Sequence, residues 1–424
     1  MTTIAPFKAL RPRPELAKQV ASRPYDVLNS KEAKEEAAGN SYSFLHITKS
    51  EIDLPDSIDS HSQEVYDKAK ENLAAFMQRD ILFRENKSCY YVYQLTMNGI
   101  SQTGLVCTSS VDDYENNLIK KHEFTRPEKE KDRINHILTS GAQTGNVFLA
   151  YRNLGEIDEI VENWKNSHDP VYNFEASDKI THTIWIINND DKISALTNLF
   201  AEKIPCTYIA DGHHRAASAA KVRAANKTSR EEKVKKPNSA DARAHSNEDF
   251  FLTTLFPSNQ LYIMDYNRVV RDLNRLSPAQ FLEMLNEKFE VSGETSQVSP
   301  AQLHEFGMFF QGSWYKLVAK PGTYNTDPIG ILDVTILSDN ILDAILGIKD
   351  QRTDTRIDFI GGIRGLGELE KRVTSGEMAV AFSLHPVTIQ QLFDIADSGQ
   401  VMPPKSTWFE PKLRDGLLTH LIGS

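Results

Sequence analysis

Short apolar runs of strand length alternate along this chain with segments of helical period, and that alternation limits the fold more than any other feature. Residues 147–151 (VFLAY), 181–187 (THTIWII), 206–210 (CTYIA) and 378–384 (MAVAFSL) read as buried strands. Segment 61–79 places Val65, Ala69, Leu73 and Phe76 on one helical stripe, and 191–202, 213–225, 278–289 and 387–397 also read as helices. Asn29-Ser30-Lys31-Glu32 is a capping box opening a helix that Gly39 ends, and 125–128 is a second capping signal for a helix running to 138. Asn98-Gly99, a pair suited to a type I′ turn, joins strands at 89–95 and 104–108. Weaker patterns make 43–48 and 314–319 strands, 300–306 a helix and 342–348 a helix tail. The expected class is α/β, as mixed α+β layers.

A length of 424 residues suggests two or three subdomains. We place them at 1–111, 112–270 and 271–424. Segment 226–245 (NKTSREEKVKKPNSADARAH) is polar and nearly free of large apolar residues, and reads as a mobile surface insertion within the second. The competing account is a solvated extension of the preceding helix. With Lys+Arg 48 against Asp+Glu 58, the net charge of −10 argues against a global grip on nucleic acid or an anionic membrane. No stretch approaches the roughly 18 apolar residues of a membrane span, and the N-terminus lacks the apolar core of a secretion signal. Cys89, Cys107 and Cys206 form neither a disulfide framework nor a zinc knuckle. These readings lead us to expect a soluble cytoplasmic protein with no tightly bound metal; a homodimer is compatible with all of them.

The sharpest local feature is Tyr208-Ile209-Ala210-Asp211-Gly212-His213-His214-Arg215, where a strand passes through Asp-Gly directly into a helix. First-turn amides of a helix lack internal partners and the dipole adds positive potential, which suits an anion. Gly212 lets a phosphate approach the backbone, Arg215 can hold two of its oxygens, and His213 and His214 add donors. The bland account is Asp211 as an N-cap beside surface histidines. Adjacent histidines on a helix point about 100° apart, poor geometry for one metal. Lys405-Ser406-Thr407 invites a P-loop reading, which fails for want of the upstream glycines, although Lys405 and Lys412 can still reach a phosphate from a rigid loop. The run 361–365 (GGIRG) reads as a β-turn.

The strand–DGHHR–helix order resembles the ParB/sulfiredoxin-like superfamily, and especially its free-serine kinases. Nearly the whole chain is also similar to a bacterial and archaeal family known only as domain of unknown function ten-fifteen. That likeness rests on Phe7-Lys8-Ala9-Leu10-Arg11-Pro12, Pro24-Tyr25-Asp26-Val27, His122-Glu123-Phe124-Thr125 and Asp132-Arg133. It continues through Met402-Pro403-Pro404-Lys405-Ser406-Thr407 and Phe409 to Pro411-Lys412 and Gly416-Leu417. Sulfiredoxins carry a cysteine in the corresponding loop, whereas 211–215 has none. A ParB-type DNA clamp is disfavoured by the charge and by the lack of a helix-turn-helix pattern.

The resemblance implies a ParB/sulfiredoxin-like unit and a nucleotide-dependent kinase of a small hydroxyl metabolite, with free L-serine the leading acceptor and ATP or ADP with Mg²⁺ the donor. Its alternatives are a ParB-like protein that binds or hydrolyses a nucleotide without phosphorylating a metabolite, and an inactive scaffold. Phosphoryl transfer needs a cradle, a cation and a carboxylate to orient the hydroxyl. Asp211 belongs to the cradle, Glu123 is the first candidate carboxylate and Asp26 the second. Ordinary readings are a helix-dipole carboxylate for Glu123 and a turn former for Asp26. His122, Thr125, Arg133, Ser406 and Thr407 are candidates for substrate contact or structural roles, Arg133 through an ion pair with Asp132.

Overall fold

The runs at 147–151 and 181–187 form the strands Val147–Tyr151 and Thr181–Ile187, and the stripe bearing Leu73 and Phe76 lies on the helix Gln63–Gln78. The computed structural model describes residues 1–123, 125, 127–233 and 247–422, with 228–233 as backbone. Both bonds of the Asn29 capping box are made, and Asn98 and Gly99 carry the positive φ angles of 52° and 78° that a type I′ turn needs.

The chain divides into two compact units, Met1–Leu261 with Pro411–Ser424, and Tyr262–Glu410. In the first, a mixed 9-stranded sheet is the frame. Its path runs from Ile119–Lys120 through Thr207–Asp211, Val147–Tyr151, Phe250–Pro257, Ile100–Ser110, Tyr90–Met97 and Thr181–Ile187 to Tyr172–Glu175. Thr207–Asp211 is parallel to its neighbour on one side and antiparallel to Val147–Tyr151 on the other, with a register shift between Ile209 and Asp211. That irregularity lies immediately before the turn into the long helix His213–Lys233. The apolar face of the sheet buries Val92, Leu105, Leu149, Ile209 and Leu255 against Ala216 and Phe200 from the helices.

In the second unit a six-stranded antiparallel sheet follows the order Phe289–Glu294, Ser313–Ala319, Glu305–Phe310, Val380–Leu384, Tyr266–Val270, Ile357–Gly361. Its ends are tied by a two-strand pairing of Ile263 with Phe409 and Met264 with Trp408.

Several expectations change. No boundary falls at 111, because residues 105–110 of the strand Ile100–Ser110 pair with 250–255 of Phe250–Pro257. None falls at 270, because Tyr266–Val270 pairs with strands of the second unit. The expected strand at 43–48 is a short helix, Leu45–Thr48. Its Phe44 and Ile47 pack on Leu73 and Phe76, and its backbone bonds close locally, Thr48 N to Phe44 O at 3.0 Å. The expected helix at 300–306 gives way to the strand Glu305–Phe310, whose every residue is buried between two partner strands. There, ladder bonding and burial outweigh a weak helical pattern. The 361–365 run ends a strand at Gly361 and continues as a one-turn helix, Gly362–Arg364. Residues 226–233 continue the preceding helix, while 234–245 of the expected insertion lie outside the described residues. Among the described residues no helix is long and apolar enough to cross a membrane.

The C-terminal stretch returns to the first unit. Asp415 and Ser22 exchange two backbone bonds at 3.1 and 3.0 Å, Thr419 and Leu10 do the same at 2.9 Å, and His420–Leu421 pairs with Ala142–Gln143.

Candidate functional site

The strand Thr207–Asp211 delivers Asp211 to the lip of the sheet, and Gly212, at φ +94°, reverses the chain into the helix. A side chain at 212 would be strained in that left-handed conformation and would also meet Val147 Cα at 3.4 Å. Gly212 O accepts the first helical bonds, from Arg215 N at 2.9 Å and Ala216 N at 3.1 Å. The N-cap is therefore Gly212, and Asp211 is released from that duty. Its Oδ2 instead accepts from Lys412 Nζ at 3.0 Å. Burial opposes ionisation here, yet Lys412 and Arg215 together hold the Asp211 carboxyl far below the usual carboxylate range.

Arg215 is the centre of the second pairing. Its Nη2 donates to Asp26 Oδ2 at 2.7 Å and its Nη1 to Asn146 O at 2.5 Å. Its guanidinium lies 5.5 Å from the Tyr25 ring centroid, and Arg133 covers the same ring at 3.9 Å. Arg133 is itself paired with Asp132 at 2.7 Å, and Asp132 accepts from Tyr66 Oη at 2.9 Å. Burial, with Asp26 alongside, pushes the Tyr25 hydroxyl up to about 12. A small cleft beside the turn is lined by Tyr25, Arg133, Thr144, Gly145 and Arg215.

His122 and His213 are not surface groups, whereas His214 is half-buried. His213 is 5% exposed and its ring meets that of His122 edge-on, centroids 4.6 Å apart. Glu123, whose side chain keeps 46% exposure, places Oε2 3.8 Å from His213 Nδ1. His214 O accepts from Ser218 Oγ at 2.7 Å, and Thr125 hydrogen-bonds Glu130. Thus Asp26, Glu123, Asp211, Gly212, His122, His213, Arg215 and Arg133 gather in the first unit around one strand-to-helix turn. Lys405, Ser406 and Thr407 belong to the second unit. There Lys405 O accepts from Arg268 Nη2 at 3.0 Å and Ser406 Oγ donates to Pro403 O at 2.6 Å.

The family described as "Protein of unknown function (DUF1015)" matches residues 4–335. The chain belongs to that family. No curated protein matches it. Among solved structures it is similar to a mutant free serine kinase in complex with AMP, at 12% identity and a TM-score of 0.35, covering 74% of this chain and 92% of that one. A conserved hypothetical protein from Pyrococcus furiosus is similar at 13% identity and a TM-score of 0.35, covering 74% of this chain and 94% of that one. SbnI with a C-terminal truncation from Staphylococcus aureus follows at 10% identity and a TM-score of 0.30, covering 73% and 85%.

In this family member, sequence reasoning overlooked Asn146, Gly145 and Asp415, and placed Lys412 only as a lysine on a rigid loop. The one signal for Asp415 is its place between Pro411-Lys412 and Gly416-Leu417, both part of the family's pattern.

The buried histidines of this unit predict its acid response. Burial holds His122, His136 and His420 down to about 4 and His182 to about 3, and holds His213 well below its ordinary value. Unfolded, each would take a proton near pH 6.5. Between about pH 6.5 and 4 the unfolded chain therefore binds more protons, so stability falls as the pH falls through that window. One such histidine forfeits on the order of 2–3 kcal/mol by pH 4. Urea midpoints measured from pH 7.5 to 4.5 should drop steadily, with a shallower slope in His122→Gln; a flat profile would contradict neutral buried rings.

Proposed function

We propose that this protein binds a nucleotide by its phosphates at the 211–215 turn and transfers a phosphoryl group to the hydroxyl of a small metabolite, free L-serine first among them. The observation that supports this reading is the pair of exchangeable ion pairs at the turn. Arg215 with Asp26 and Lys412 with Asp211 hold two cations beside the N-terminus of a 21-residue helix, behind a glycine. A phosphate can take the place of either carboxylate on its cation, in a field already favourable to negative charge. Mg²⁺ would travel with the phosphates, since it prefers oxygen ligands and keeps its waters. Glu123, half exposed and close to His213, is the carboxylate that would accept the acceptor's hydroxyl proton while that oxygen forms the new P–O bond and the nucleotide's bridging oxygen leaves. The choice of serine rests on the likeness of the DGHHR loop to that of free-serine kinases.

The test is incubation with ATP, ADP or CTP, with and without serine, followed by direct detection of phosphoserine. Serine-dependent nucleotide consumption is expected with ATP or ADP. Nucleotide binding with no phosphorylated product from any amino or hydroxy acid would replace the kinase with a nucleotide-binding regulator. No binding at all would remove both.

A further inference from the structure

The C-terminal return places one acidic side chain where the proposed chemistry has not yet used it. Asp415 is 2% exposed, and its backbone bonds to Ser22, just upstream of Tyr25 and Asp26, fix it beside the turn. A β-carbon at position 145 would lie 3.4 Å from Asp415 Oδ1 and 3.5 Å from Arg215 Nε, so glycine at 145 leaves these groups facing one hollow. Asp415 Oδ2, Arg215 Nε and Asn146 Oδ1 are each buried without a hydrogen-bond partner among the described residues. Orphaned buried polar atoms are costly unless something satisfies them.

Charge accounting points to what that is. Asp26 is paired with Arg215, Asp132 with Arg133 and Asp211 with Lys412. At Arg215 itself two carboxyls, Asp26 and Asp415, share one guanidinium, and that group is neutral only when Asp415 carries a proton. Burial, reinforced by Asp26 and opposed by Arg215, holds this carboxyl up to about 7. Tyr25 and Arg133 are the remaining groups acting on it, and the His122–His213 pair at the turn is kept neutral by burial. An anion against Arg215 adds negative charge to the same hollow and favours the protonated acid further. The acid's O–H then adds a donor where Asp415 Oδ2, as an unpaired carboxylate oxygen, could only accept.

We propose that Asp415 couples occupancy of the Arg215 anion site to the uptake of one proton from solvent. This rests on the reading of the 211–215 turn as an anion site, and makes Asp415 a positioning residue for it. The probe is sulfate, which stays fully ionised over the range, titrated into the full chain by calorimetry from pH 6 to 8.5. Affinity should fall as the pH rises above about 7, with a slope approaching tenfold per pH unit. Heats measured in two buffers should show about three-quarters of a proton taken up per sulfate at pH 7.5, rising toward one at pH 8.5. Asp415→Asn, which mimics the protonated form, should bind sulfate at pH 6 about as well as the wild type and lose the slope. Should that variant fail to fold, infrared difference spectra of the wild type decide: sulfate should bring up a carboxylic-acid carbonyl band. An unchanged slope in Asp415→Asn, or no proton uptake by the wild type, overturns the coupling while leaving the anion site standing. Absence of sulfate and ATP binding at every pH removes the anion site, and this role with it.

Discussion

Replacing Arg215 by alanine is expected to cost the protein its nucleotide affinity and a measurable part of its stability at once. The side chain is 10% exposed and holds Asp26 at 2.7 Å and Asn146 O at 2.5 Å. Loss of a charge-assisted bond to phosphate should weaken ATP binding by about 1.5–3 kcal/mol. Removing the cation also strands Asp26, still 30% exposed, and leaves Asp415 without the cation that most opposes its burial. Breaking such a partly buried pair should lower unfolding free energy by about 2–4 kcal/mol. Calorimetry with ATP and urea denaturation read the two effects separately. Arg215→Lys should recover part of the stability but little of the affinity, because an ammonium cannot reproduce the planar fork. Unchanged ATP affinity in Arg215→Ala would count decisively against the clamp.

The second large effect is expected at Glu123, and only on rate. A positioned general base contributes about 10²–10⁴-fold while touching the donor phosphates little. Glu123→Gln should therefore abolish most phosphoserine formation and leave ATP affinity nearly intact. Asp26→Asn should do the reverse, since Asp26 occupies the guanidinium that the phosphate needs. Its removal should tighten ATP binding and spare turnover at saturating nucleotide. If Glu123→Gln keeps full turnover while Asp26→Asn is dead, the base is Asp26 and the kinase reading survives the exchange.

How much of this was legible in the sequence depended on whether local signals carried the information. The Asn29 capping box, the Asn98-Gly99 turn and the buried strands at 147–151 and 181–187 were readable because each is decided within a few residues. The strand Glu305–Phe310 was not, because its identity comes from two partners distant in the chain. Likewise the strand-to-helix turn around Gly212 could be read from Asp-Gly and the alanine-rich helix behind it. The partners of its charges could not: Asp26 reaches Arg215 across 189 positions and Lys412 reaches Asp211 across 201. A site assembled from several separated stretches shows its residue types in the sequence, but not which of them neutralise each other. The adjacent histidines illustrate the same limit, since nothing local says that His213 is packed edge-on against His122.

The pairing of Ile263 with Phe409 and Met264 with Trp408 has a consequence for how the molecule is made. The first unit is discontinuous, interrupted between Leu261 and Pro411 by the whole of the second. Closing a floppy loop of that length would tax the assembly of the first unit with chain entropy that grows with loop length. A second unit whose two ends pair with each other brings Leu261 and Pro411 together and shortens that closure. Synthesis therefore imposes an order. Until the stretch from Pro411 onward has been made, the segment around Gly212 stands without Lys412 and Asp415, and Asp211 lacks its cation. A chain clipped before Pro411 would therefore carry the large sheet while Asp211 lacks the cation of Lys412.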